Sequence, residues 1–128
     1  MADPQELHEE ILGWARKEFN HIFKDSKQAI YIYICDRHKI CNEIFASLLG
    51  YASPKEWEMK EEALSDVKEE DQQVLVSAYR NAVENKEGSS INISWKNRKK
   101  GNFIKTNVIL VPLSYKNELF ALHFITKI

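Results

Sequence analysis

Apolar residues recur at helical spacing near the N-terminus. They form one stripe, whose members are Leu7, Ile11, Trp14, Ala15, Phe19, Ile22 and Phe23. Spacings of three and four residues put such side chains on one face of a helix. The pattern therefore predicts an amphipathic helix over residues 4–23, with Asp3 as its cap and Pro4 as its first residue.

Three further helices are predicted in the middle of the chain. Asn42 is a good N-cap for a short helix, and Gly50 is suited to end it. The stretch "SPKE", residues 53–56, reads as a capping box that opens a second short helix. A longer apolar stripe predicts a helix over residues 70–85, which we expect Gly88 to end.

Alternating apolar and polar residues predict the strands. In "AIYIYICD", residues 29–36, both faces are largely apolar, so this strand should be covered on both sides. "ICN", residues 40–42, is at most a stub of a second strand. Three strands should close the chain as a meander, the second of them limited at its end by Pro112; they span residues 89–97, 103–113 and 119–128.

Length, composition and charge narrow the class of protein. The chain has 128 residues, of which 44% are hydrophobic and 29% charged, as expected for one globular domain. A net charge of −1 supplies no field for nucleic acid or an anionic membrane, so neither is expected as a partner. The acidic N-terminus does not resemble a signal peptide, and two cysteines make no disulfide framework, so we expect a cytoplasmic protein.

The order of elements and one motif resemble the PAS domain family. The motif is "CNEIFASLLGY", in which the matching residues are Asn42, Phe45, Leu48, Leu49, Gly50 and Tyr51. Asp71 at the start of the long helix, Gly101 in the last hairpin and Pro112 also match. The likeness covers residues 29–126, and the order and spacing of its parts make it fairly specific.

One segment departs from the family pattern. PAS domains usually have an Asp-x-x-Gly turn and then a full strand before the Asn. Here Asp36 and Asn42 are six residues apart with no Gly between them, so the second strand should be very short or missing.

The resemblance implies an α+β fold. A five-stranded antiparallel sheet would carry short helices on one face and the N-terminal amphipathic helix on the other. Residues 1–24 would form a capping and dimerisation helix, and residues 29–128 the PAS domain. The first strand should lie in the centre, beside the last.

The resemblance also implies a sensory or regulatory module. It would bind a small ligand or a signalling partner and respond by a change of conformation or association. The predicted pocket residues are Ile32, Ile34, Phe45, Leu49, Trp57, Leu75, Tyr79, Ile93, Trp95, Leu122 and Phe124.

A homodimer is predicted from the apolar outer face of the sheet and the width of the first stripe. Tyr31, Tyr33, Ile109, Val111, Ala121 and Ile125 are expected on that outer face. The helix would cover it and use the rest of its stripe for a second copy, through Leu7, Ile11, Trp14, Phe19, Ile22 and Phe23.

No metal is predicted, and the cofactor is left unknown. Cys35, His38 and Cys41 have the spacing C-x-x-H-x-x-C, but no fourth ligand is evident, so they are interpreted as residues beside a turn. The stretch before the long helix lacks the cysteine of flavin-binding PAS domains, and the helix lacks the histidine of heme-binding ones. His123 on the last strand is interpreted as structural.

A small cone-shaped enzyme of the ketosteroid isomerase type is the alternative function. Such enzymes also wrap a curved sheet around a pocket, but they need an acid or base deep inside it. The positions predicted to point inward carry no carboxylate, so we expect no enzyme.

Overall fold

A computed structural model describes residues 4–128, and the predicted cap at Asp3 lies outside them. Helix α1 spans Pro4–Glu18 and helix α2 spans Asn20–Asp25. The single helix predicted over residues 4–23 is therefore wrong at Phe19, where ψ is 13°. In an unbroken helix Trp14 and Phe19 would lie on different faces. The break brings their rings into an edge-to-face contact, with centroids 5.7 Å apart.

The sheet has five antiparallel strands in the order β2-β1-β5-β4-β3. Their bounds are β1 Ala29–Cys35, β2 His38–Cys41, β3 Ser89–Lys96, β4 Phe103–Tyr115 and β5 Glu118–Lys127. The first strand lies beside the last, as predicted, and β2 pairs at the edge with only four residues. The expectation of a very short second strand is confirmed.

Three helices lie on one face of the sheet: α3 Glu43–Leu48, α4 Pro54–Glu58 and α5 Gln72–Asn85. Two 3-10 turns, Ala63–Asp66 and Glu69–Asp71, lead into α5. Helix α5 ends at Lys86, which adopts the left-handed conformation (φ 57°), so the prediction that Gly88 ends it is wrong. The Asp71 carboxylate accepts a hydrogen bond from the Ser94 amide (2.8 Å) and ties the start of α5 to β3.

Pro112 does not end its strand. Strand β4 continues to Tyr115, with Pro112 still opposite Ala121 of β5. Pairing with β3 on the other side stops earlier, at the pair of Ser89 and Leu110. Because proline has no amide hydrogen to donate, its position beyond the end of β3 costs the sheet no hydrogen bond.

The sheet separates two apolar clusters. The helix-side cluster lies under α3, α4 and α5, and includes Tyr31, Phe45, Leu49, Tyr51, Trp57, Leu75, Ile93, Trp95, Val108, Leu110 and Ile125. The α1-side cluster joins α1 to β1, β2 and β5, and includes Ile11, Ala15, Ile30, Ile32, Ile34, Ile40, Phe120 and Leu122.

The predicted facing of β1 and β5 is wrong. Ile32, Ile34, Leu122 and Phe124, placed in the pocket by the sequence, belong to the α1-side cluster. Alternation has period two, so one wrong choice reverses a whole strand. Both faces of β1 are apolar, and its alternation therefore could not show which face the helices cover.

The same error reversed the expected outer face. Tyr31 and Ile125 are in the helix-side cluster, and Tyr33 packs against it. Ala121 pairs with Tyr33 across the sheet, and antiparallel partners share a face. Strands β3 and β4 face as predicted, since Ile93 and Trp95 belong to the helix-side cluster and Ile109 is exposed.

Candidate functional site: an aromatic cavity

The Asn42 side chain fixes helix α3 to the sheet. Its Oδ1 accepts hydrogen bonds from the amides of Phe45 (3.0 Å) and Ile30 (3.1 Å), and its Nδ2 donates to the carbonyl of Gln28 (2.9 Å). One buried amide therefore caps the helix and joins it to the start of β1. This explains why the chain passes from strand to helix within a few residues and brings Phe45 over β1.

Tyr51, which follows Gly50 at the end of α3, anchors the loop that closes the site. Its hydroxyl donates to the carboxylate of Asp66 (2.5 Å), whose other oxygen accepts from the Lys60 ammonium (3.0 Å). Asp66 is buried, and an unpaired carboxylate would be costly there. The Gly-Tyr pair thus connects α3 to the turns before α5.

Lys39 supports the wall beside Trp57. Its ammonium donates to the carbonyls of Lys60 (2.5 Å) and Glu58 (3.3 Å) and to that of Asp36. It also lies over the Trp57 ring, 5.3 Å from the centroid. Burial lowers the pKa of Lys39. No pattern in the sequence predicted that this lysine on the short edge strand is almost fully buried.

Between the helices and the sheet lies a cavity of about 230 Å³. Its lining is mostly aromatic and consists of Tyr31, Tyr33, Trp57, Ala63, Leu64, Leu75, Val76, Tyr79, Trp95 and His123. Strand β1 supplies two of these residues, and α5 supplies three. The cavity therefore lies where the motif helices, α5 and the central strands meet.

The aromatic rings form an ordered wall. The rings of Tyr31 and His123 are stacked, with centroids 3.9 Å apart and an angle of 11° between their planes. Tyr79 is parallel to His123 at 6.4 Å. Trp57 and Trp95 meet Tyr31 edge-on, at 5.4 and 5.9 Å. Such a wall offers flat faces to a flat ligand.

The ionisable groups of the wall are uncharged at neutral pH. Burial lowers the pKa of His123 to about 3, against a smaller opposing effect from the main chain of Tyr31 and Ala121. Burial also raises the pKa of the Tyr31 and Tyr79 phenols. The cavity is therefore suited to a neutral, largely apolar molecule.

Three ring nitrogens in this wall lack a hydrogen-bond partner among residues 4–128. They are Nε1 of Trp57, Nε1 of Trp95 and Nδ1 of His123, and all three atoms are buried. An indole nitrogen can only donate, whereas a neutral imidazole nitrogen donates or accepts according to its tautomer. Buried polar atoms in folded proteins are nearly always paired, so these three unpaired nitrogens are exceptions that need an explanation.

The sequence predicted part of this site. Of the predicted pocket residues, Trp57, Leu75, Tyr79 and Trp95 line this cavity. Phe45, Leu49 and Ile93 lie in the same cluster without lining it, whereas Ile32, Ile34, Leu122 and Phe124 lie across the sheet. The lining residues that the sequence missed are Tyr31, Tyr33, Ala63, Leu64, Val76 and His123.

Most residues predicted for the dimer interface pack on the chain's own sheet. Ile11 is fully buried there, and the half-buried Leu7, Trp14, Phe19 and Phe23 pack against the same cluster. Ile22 differs, because 42% of it is exposed. The predicted homodimer itself is not tested by these contacts.

Solved structures of PAS domains are similar to this chain. The PAS domain of a two-component sensor histidine kinase matches with a TM-score of 0.66 and 13% identity, covering 91% of this chain and 99% of that one. A PAS domain from Colwellia psychrerythraea matches with a TM-score of 0.64 and 22% identity, covering 92% and 97%. VqmA bound to DPO matches with a TM-score of 0.67 and 9% identity, covering 88% and 57%.

Because each of these sequence identities is below 25%, the likenesses show the fold alone. No protein-family model and no curated protein matches the sequence. Of the helices within the described residues, none is both long and apolar enough to span a membrane.

Proposed function

We propose that this chain, which has the fold of PAS domains, is a sensory module that binds a small, flat, neutral ligand in the aromatic cavity. The observation that carries the proposal is the set of three buried, unpartnered ring nitrogens in one aromatic wall. A ligand with a carbonyl oxygen or ring nitrogen would accept a hydrogen bond from an indole while its faces stack on Tyr31, Tyr79 or His123. VqmA bound to DPO supports the idea that this fold holds ligands.

Strand β1 offers a route from the cavity to α1. Its tyrosines face the cavity, while Ile30, Ile32 and Ile34 face the α1-side cluster. The Tyr79 hydroxyl donates to the carbonyls of Ile34 (3.1 Å) and Tyr33 (3.3 Å), so α5 is bonded directly to β1. A ligand that moves Tyr79 would therefore shift the strand on which α1 packs and favour one docking of that helix.

The indole N–H resonances of the three tryptophans provide the test. Quinoline and naphthalene have the same shape, but only quinoline carries an acceptor nitrogen. We expect quinoline to shift the Trp57 or Trp95 resonance downfield, and naphthalene to cause no such shift. Trp14 packs on the other face of the sheet and is the internal control. Unmoved Trp57 and Trp95 resonances at saturating quinoline would contradict the proposal.

A matched pair of variants separates cavity binding from surface binding. Val76 lines the cavity, while Val74 on the same helix is 42% exposed. Val76→Phe should fill the cavity and abolish the quinoline shift. Val74→Phe should leave it intact. If both variants respond as the unchanged protein does, the ligand binds elsewhere.

The cavity does not favour the isomerase alternative. Among the described residues that line it, none carries a carboxylate, the group expected of such an enzyme. His123 is the sole imidazole in that lining, and its low pKa makes it a weak base.

A further inference from the structure

Three side chains of types that commonly bind metals lie close together at the C-terminal end of strand β1. His8 comes from α1, Cys35 from the end of β1 and His38 from the start of β2. One ligand atom from each lies within 4.8 Å of the other two. The cysteine Sγ is 3.2 Å from Nδ1 of His38 and 3.6 Å from Nδ1 of His8. This cluster, the His8–Cys35–His38 triad, lies outside the aromatic cavity.

The spacing of these atoms suits a tetrahedral metal. Zinc lies about 2.0–2.1 Å from imidazole nitrogen and about 2.3 Å from thiolate sulfur, so two of its ligands are about 3.3–3.6 Å apart. The two sulfur–nitrogen distances, 3.2 and 3.6 Å, lie at about these values. An ion could bind between the three atoms with little movement of the backbone.

Glu118 gives independent support for a ligating His8. Its Oε1 lies 3.4 Å from Nε2 of His8, the nitrogen that does not face the cysteine. Histidines that bind metals usually donate their second N–H to a carboxylate, which fixes the tautomer and orients the ring. Glu118 starts strand β5, so a fourth element of the fold holds this ring in place.

Charged groups of both signs surround the triad. His38 is buried, and its Nδ1 faces the Cys35 sulfur at 3.2 Å. The carboxylates of Glu9 and Glu118 are close enough to act on the two histidines, and Arg37 is the opposing charge beside His38. Lys39, the next residue of β2, donates to the carbonyls of Glu58 and Lys60 beside α4 and to that of Asp36 in the β1–β2 turn, and its charge acts on Cys35.

We infer that the His8–Cys35–His38 triad is a binding site for Zn²⁺ or a chemically similar transition-metal ion. The ligands are Nδ1 of both histidines and the Cys35 thiolate, whose proton passes to solvent when the ion binds. The fourth position remains for water or an external ligand. Because His8 belongs to α1, the ion would clip that helix to the β1–β2 turn.

The sequence motif contains two of the three proposed ligands, but its third member is not one of them. In the spacing C-x-x-H-x-x-C the third member, Cys41, is buried elsewhere, with its Sγ 3.9 Å from the carbonyl of Pro54. His8 takes the third place instead, 27 residues before Cys35 in the sequence. A ligand so far away in the sequence can be identified only from the folded structure, in which α1 packs on the sheet.

Cobalt is the first probe, because a bound thiolate gives Co²⁺ a charge-transfer band in the near ultraviolet. The untagged, reduced full chain should show that band, together with tetrahedral visible bands, at one equivalent of Co²⁺, and Zn²⁺ should displace them. Cys35→Ser should abolish the thiolate band. His8→Gln and His38→Gln should each weaken Co²⁺ binding at least tenfold.

Two variants serve as controls. Cys41→Ser removes the other cysteine, and His21→Gln removes an exposed histidine of α2; both should bind Co²⁺ normally. Glu118→Gln should weaken binding by about 10–100-fold, the usual effect of losing an outer-shell carboxylate. No thiolate band with the full chain, or a band that Cys41→Ser removes, would overturn the site.

Hydrogen exchange tests whether a bound ion fixes α1 to the β1–β2 turn. Zn²⁺ should slow amide exchange within α1 at least tenfold in the unchanged protein and not in His8→Gln. Equal protection in both would show that His8 is not a ligand and would overturn the three-ligand assignment. The alternative, in which Cys35 and His38 are simply hydrogen-bonded to each other, predicts no band and no protection.

Discussion

At the scale of residues, the aromatic cavity depends on keeping an imidazole uncharged. His123 is buried between two tyrosine rings, and burial lowers its pKa from the ordinary 6.5 to about 3. In the unfolded chain the same histidine takes up a proton near its ordinary pKa. The folded state therefore binds fewer protons than the unfolded state across this interval, so stability must depend on pH there.

The sign of that dependence is a prediction. The contribution of His123 is fully present above pH 6.5 and is lost as the pH falls from there towards 3. The slope for one proton is at most about 1.4 kcal/mol per pH unit. Urea melts at about pH 7 and about pH 4.5 would measure it, with His123→Phe as the comparison, since Phe keeps a ring beside Tyr31 but cannot titrate. Equal pH dependence in both proteins would contradict the assignment.

At the scale of elements, helix α3 is held against the β3–β4 hairpin by its last turn. Nδ2 of Asn97 donates to the carbonyl of Leu48 (3.0 Å), and the Arg98 amide donates to that of Leu49 (2.8 Å). Gly50 lies in this contact with φ at 83°, and a Cβ there would be 2.8 Å from the Lys99 amide nitrogen. Only glycine allows both the conformation and the approach.

Gly50→Ala should therefore destabilise the fold by about 2–4 kcal/mol, from the left-handed conformation and the clash together. Gly101 is the matched control, because its φ is 76° but no atom lies within 4 Å of its added Cβ. Gly101→Ala should cost only about 1–2 kcal/mol, the conformational part. Denaturant unfolding gives both values, and equal losses would refute the close contact.

Local signals in the sequence predicted the helices and strands better than they predicted how these elements pack against one another. Asn42 and Ser53 cap their helices as expected, because a cap involves only residues nearby in the chain. The facing of β1 and β5 could not be predicted, because it depends on which apolar face the helices cover. His123 was missed as a cavity residue for the same reason. The break at Phe19 accompanies a contact with the Trp14 ring that an unbroken helix could not make.

At the scale of the whole molecule, α1 is an integral part of the fold. Ile11 and Ala15 have no exposed surface, and they cover Ile30 and Ile32 of the sheet. Removing residues 1–23 would uncover the α1-side cluster and should cause aggregation. The two lobes of the core, one on each face, share strands β1 and β5.

The homodimer remains a prediction, and the structure indicates which residue to test. After α1 has covered the sheet, Ile22 of α2 is still 42% exposed, and so is Ile109 at 43% on the sheet face that α1 covers in part. A second copy that packs on this surface would need to bury about 800 Å² per partner to form a standard interface. The half-buried Trp14 and Phe23 could contribute to that area.

Analytical ultracentrifugation should detect a dimer of the intact chain at high micromolar concentration. Ile22→Glu places a charge on the predicted interface without touching the buried cluster, so it should shift the protein to monomer and leave its melting temperature nearly unchanged. Val74→Glu is the control, because Val74 is equally exposed, at 42%, on a helix that lies on the opposite face of the sheet. It should remain a dimer. If the unchanged protein is only a monomer, the prediction is refuted, and α1 packs only on the sheet of its own chain.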